Sequence, residues 1–103
     1  ALGRETLVQW LEADVTAHAP REPFLARVFF AAELERDGVV ELIEARRRAT
    51  QDLLDEYLSQ REDIDMRAAA DRRSFLMAAT LDNGIRHAAA DLEWLEAVSE
   101  HLP

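Results

Sequence analysis

Residues 78–102 read AATLDNGIRHAAADLEWLEAVSEHL, and their apolar rhythm decides the fold. Ala78, Leu81, Ile85, Ala88, Leu92 and Leu95 alternate at three and four residues, with Ser99 and Leu102 completing the register. Helical residues step by 100°, so this spacing gathers them into one stripe, and a stripe sustained over several heptads needs a facing helix. Gly84 interrupts it at a cost of about 1 kcal/mol relative to Ala, which a close helix approach would explain. The spacing predicts a helix over residues 66–102.

Upstream, Val39, Leu42, Ile43, Ala49, Leu53, Leu54, Tyr57 and Leu58 also recur at helical spacing, predicting a helix over 39–62. Asp37-Gly38 reads as the turn before it, and Glu62-Asp63-Ile64-Asp65 as a short acidic connection after it, because Asp competes for backbone donors. Pro23 suits the first turn of an earlier helix over 22–36, where an amide hydrogen would be unpaired anyway. Residues 12–22, with Pro20, read as a linker, and residues 1–12 as a short opening helix that buries Leu7, Val8, Trp10 and Leu11. Asp82 with Arg86 and Glu44 with Arg48 stand four apart, acid first, as on exposed helix faces.

The expected architecture is therefore all-α: a short N-terminal helix plus three more, the last two long and antiparallel, in a single domain spanning 1–103. At about 1.5 Å per residue those two are rods of roughly 36 and 50 Å, longer than a compact monomer of this size needs. A second copy is expected to cover their shared apolar face in a homodimeric coiled-coil-like bundle. The expected interface residues are Ile43, Leu54, Tyr57, Ala78, Leu81, Ile85, Ala88, Leu92 and Leu95.

Composition narrows the function. The chain has 103 residues, 49% of them hydrophobic and 32% charged, which is the make-up of a folded domain. Its net charge of −9 opposes binding to phosphate backbones, so no DNA contact is expected from it alone. There is no Cys, which removes disulfides and thiolate metal sites. No apolar run approaches the length of a membrane span, so a cytoplasmic setting without membrane contact is the expectation.

Little chemistry is visible. His18, His87 and His101 are far apart in sequence, and the His87/Asp91 pair reads as helix surface, so neither metal nor cofactor is expected. No Ser or Thr stands in a nucleophile setting, and no carboxylate pair suggests acid–base work, so an enzyme is not expected. Arg46-Arg47-Arg48 is a basic run, but successive helical residues diverge and Glu41, Glu44, Asp52 and Asp55 surround it. It reads as a solvated face or an intersubunit ion pair. Trp10, Phe29, Phe30 and Trp94 could line a pocket for a planar ligand, although packing is the simpler reading.

Four stretches resemble the C-terminal helical domain of PadR-like transcriptional regulators, a domain that also occurs in virulence activators. Gly3-Arg4-Glu5-Thr6-Leu7-Val8-Gln9-Trp10-Leu11 resembles the G-R-x-x-L-x-x-W-L that follows the family's winged helix-turn-helix. Phe24 to Phe30 resembles F-L-x-x-x-F-F, and Leu42 to Arg47 resembles L-I-E-x-R-R. Asn83-Gly84-Ile85 through Asp91-Leu92-Glu93-Trp94-Leu95 is similar to the closing helix, and the order matches. The acidic stretch at Asp63 to Asp65 departs from a family helix that often continues there.

The resemblance implies a homodimerising domain cut from a DNA-binding domain that precedes it, with DNA contacted only through that winged helix. It also implies, for some members, a small hydrophobic or phenolic effector, though no residue-level ligand motif transfers. The competing expectation is a stand-alone helical ligand-binding or protein-interaction module, like the C-terminal part of a TetR-like regulator. An enclosed aromatic cavity within one chain would favour that alternative.

Overall fold

The structure is a computed structural model that describes residues 2–12 and 23–103. The predicted linker lies outside the described residues. Among the described residues all regular structure is helical: α1 (Leu2–Glu12), α2 (Pro23–Phe30), a 3-10 turn (Ala31–Glu33), α3 (Arg36–Arg67) and α4 (Arg72–His101). No helix is long and apolar enough to cross a membrane, among the described residues. The chain divides into two units, one ending at Phe30 and one beginning at Ala31.

In the first unit, α1 carries Leu7, Trp10 and Leu11 more than half exposed, so the inward packing expected of them is not made among the described residues of that unit. α2 is shorter than predicted. Pro23 does open it, but regular helix stops at Phe30. The chain then tightens into the 3-10 turn, in which Leu34 N–H donates to Ala31 O at 2.9 Å.

The second unit is a helical hairpin in which α3 and α4 pack against each other. Both its ends correct the sequence expectation. Asp37-Gly38 is not a turn; α3 begins at Arg36 with Glu35 extended before it, and Val39 N–H already donates to Glu35 O at 3.1 Å. Asp37 therefore sits in the first turn, where a carboxylate complements the helix dipole. Gly38 has no positive φ; a Cβ there would lie 3.3 Å from Leu34 Cβ, so the glycine makes room for Leu34.

The acidic stretch Glu62 to Asp65 does not interrupt α3, which runs 32 residues to Arg67. The acids are spaced for helical pairing: Arg61 lies 3.5 Å from Asp65, and Arg67 3.4 Å from Asp63. Ile64 is half-buried and extends the heptad series Ile43, Thr50, Tyr57 on the face turned to α4. The break falls instead on three alanines. Ala68 and Ala70 donate to Asp65 O and Arg67 O in tight i→i−3 bonds, and the chain reverses.

Asp71 explains why helix-favouring alanines give way. Its backbone is extended, and its carboxylate accepts the Ser74 N–H at 2.7 Å, so an N-cap starts α4 at Arg72 rather than near Met66. That backbone hydrogen bond, with a smaller contribution from Arg73, holds the Asp71 carboxyl below its ordinary value of 3.8. A lowered folded pKa means that the cap's ionic contribution is present above pH 3.8 and is lost as pH falls through the lower folded value. Asp71→Ala is expected to lower the melting temperature at pH 7, and thermal melts of Asp71→Asn, which caps without titrating, should lose this acid-side component. Identical acid profiles for the Asp71→Asn variant and the unaltered chain would refute it.

Candidate functional site

The contact between α3 and α4 is fixed by two cross-helix arrangements. Asp91 Oδ2 accepts from Arg46 Nε at 3.3 Å and from the Thr50 hydroxyl at 3.2 Å. Thr50 is buried, so its hydroxyl needs that acceptor, and Arg46 and Asp91 are each only about a third exposed. About two turns further along, the Tyr57 ring lies over Gly84, where a Cβ would stand 2.8 Å from Tyr57 Cε2. As α3 positions rise, their α4 partners fall, so the two helices run antiparallel, as the sequence predicts.

This register relocates the residues expected at a dimer interface. Ile43, Leu81, Ile85, Ala88 and Leu95 are buried within a single chain, and Leu54, Tyr57, Ala78 and Leu92 are half-buried on the same faces. The heptad seam is thus the inner contact of the hairpin. A seam reveals that a helix has a partner but does not say which chain supplies it, and here α3 is the partner. Leu54, Tyr57, Ala78 and Leu92 keep some open surface, whereas the five buried side chains are covered by their own chain.

The basic run resolves in the same direction. Arg46 joins Asp91 of its own chain, so no intersubunit acceptor is needed for it. Arg47 Nε donates to Glu44 at 3.0 Å, in place of the expected Glu44 to Arg48 pair. That bond holds the Glu44 carboxyl below its ordinary value and raises the Arg47 guanidinium, but both are exposed and water screens the pair. The expected Asp82 to Arg86 pair is present at 2.7 Å. Asp91 is no idle surface residue: its role was hidden because its partners lie 41 and 45 positions away in sequence.

The aromatic residues do not enclose a ligand within either unit. Phe29 and Phe30 meet edge to face at 5.0 Å, yet both are more than two-thirds exposed, and Trp10 is 71% exposed. Trp94, on α4, is also exposed. A surface depression on α1 is lined by Arg4, Glu5, Val8 and Gln9, with no ring among them. His87 and His101 are exposed, and His18 lies outside the described residues. No group of His, Asp or Glu among the described residues is placed to hold a metal ion.

What the hairpin does present is apolar surface. Leu53 and Leu58 on α3, with Phe75, Leu76, Met77 and Trp94 on α4, remain open although the inner faces are filled. Scattered exposed leucines are ordinary, but so many aromatic and long aliphatic groups on two helices are the pattern of a surface suited to further association. The fold is that of a helical hairpin domain with several exposed apolar side chains.

The family model described as "virulence activator alpha C-term" matches residues 20–102. That span is most of the chain, so the chain belongs to this family. No curated protein and no solved structure matches it.

Proposed function

We propose that the chain is the dimer-forming C-terminal domain of a PadR-like transcriptional regulator and has no catalytic role. The observation that carries this reading is a hairpin whose seam is largely closed within one chain while Leu53, Phe75, Leu76 and Trp94 stay exposed. Two helices cannot shield each other all round, and a second hairpin turns such a pair into a four-helix bundle. The family match supports a regulatory setting.

In this reading the mechanism is geometric. Paired domains hold two DNA-reading heads at a fixed separation, to match half-sites about one helical turn apart. The heads belong to a separate winged helix, since a chain of net charge −9 repels phosphate. Sensing of a hydrophobic or phenolic effector would require a second copy to close over Trp10, Phe29 and Phe30, which one chain leaves open.

Sedimentation equilibrium of the chain at micromolar concentration tests the proposal. The expected mass is twice the 11.7 kDa of one chain. A single species at 11.7 kDa would refute it.

A further inference from the structure

The facing sides of α3 and α4 repeat by sevens. Ile43, Thr50, Tyr57 and Ile64 succeed one another on α3, and Val98, Asp91, Gly84 and Met77 fall back along α4 in equal steps. Thr50 meets Asp91 and Tyr57 meets Gly84, so a slide by one heptad would bring a seam of the same period into contact again. The apolar repeat by itself therefore leaves the register of the hairpin weakly specified.

Three local features break the repeat. Thr50 is only 6% exposed and its hydroxyl is bonded to Asp91, which makes a polar layer inside an otherwise apolar series. Such layers cost stability, and fixing register is their best attested use. Arg46 joins the layer from its rim. The Tyr57 ring fits over Gly84 because no Cβ stands there. Asp71, extended at φ −161° and ψ 172°, caps α4 and so places the reversal at the three alanines before it.

Those alanines offer little resistance of their own. Ala68 already has helical dihedrals, φ −60° and ψ −31°, and alanine is the best helix former. Once the cap is released they can prolong α3, which moves the reversal to the neighbourhood of Ser74. The helices then meet one heptad along. Ile64 comes over Gly84, the Tyr57 hydroxyl comes to Asp91, and Thr50 comes to Val98. Ile43 passes beyond the end of α4 at His101, which makes this register the less stable of the two.

We propose that the hairpin is a two-register device. The layer of Thr50 and Asp91, together with the Asp71 cap, locks α3 and α4 as described, and removal of both populates a second register seven residues along. At about 1.5 Å per residue the slide shifts the His101 end of α4 by about 10 Å against the Arg36 end of α3. An event at the turn is thereby read at the opposite end of the hairpin, within one chain and whatever number of copies associate.

The chain has no Cys, so introduced cysteines carry spin labels without interference. Label pairs at Glu41 with Glu93 and at Arg48 with Glu100, all exposed, report the register by pulsed dipolar spectroscopy, with unlabelled chain in excess so that distances are read within one chain. Thr50→Val with Asp91→Leu should melt within about 4 °C of the unaltered chain, because apolar groups replace a buried polar pair at little cost. A larger fall assigns the layer to stability and overturns its role as a lock. Asp71→Ala alone should keep one distance in each pair; a second component there would mean that the layer does not hold the register. With all three substitutions, a component of about 10% or more should appear, longer for the first pair and shorter for the second. Opposite changes require sliding, whereas fraying or unfolding lengthens both. Unchanged distances in the triple variant, or lengthening of both, overturns the second register.

Discussion

Leu95→Ala lowers the unfolding free energy of the chain by about 3 kcal/mol, within the range of about 2–5 kcal/mol for leucines truncated in tight cores. Leu95 has no exposed surface at all, and no other large side chain among the described residues is so fully enclosed. It continues the heptad of Leu81 and Ala88, at the level that the Thr50 to Asp91 bond aligns with the early turns of α3. Truncation opens a cavity that two stiff helices cannot collapse, and Leu95→Asp, which adds an unpaired charge, should abolish the hairpin. Leu76→Ala supplies the contrast, since Leu76 is 54% exposed and its removal leaves the inner seam intact. Urea denaturation separates the two: the Leu95→Ala loss is expected at about 3 kcal/mol and the Leu76→Ala loss at about 0.5 kcal/mol or less. A Leu95→Ala loss below about 1 kcal/mol would place that side chain outside the core.

The contrast also explains what periodicity could and could not deliver. The inner stripe of α4 was legible because hydrophobic residues repeat there over more than three heptads, and the antiparallel hairpin followed from a short connection. The site of that connection was misread for a definite reason. Asp63 and Asp65 look like helix breakers one by one, yet each has an arginine four residues away, whereas Ala68, Ala69 and Ala70 look like helix and contain the reversal. A single cap outweighs three good helix formers, and its signal was Asp71 three residues before Ser74. The partner of the seam was not legible for a different reason. Burial pattern identifies a covered face, but only coordinates reveal that Ile43, Leu81 and Ile85 are covered within one chain.

Gly84 gives the sharpest separation between local preference and packing. By propensity alone, Gly84→Ala should stabilise a mid-helix position by about 1 kcal/mol. The hairpin opposes that gain, because the new Cβ would stand 2.8 Å from Tyr57 Cε2 and 3.1 Å from Cζ, nearer than carbon atoms can rest. The half-buried Tyr57 ring must swing outward, and its cover over α4 is lost. The expected result is no gain from Gly84→Ala, and a loss of about 1–3 kcal/mol from Gly84→Leu, which no small ring movement can accommodate. Tyr57→Ala removes the obstacle while itself costing packing. In that background Gly84→Ala should recover its propensity gain of about 1 kcal/mol, so the double-mutant cycle shows a coupling of that size. Equal stabilisation by Gly84→Ala with and without the Tyr57 ring would mean that the ring does not rest on this glycine, and the close approach of α3 and α4 would need another cause.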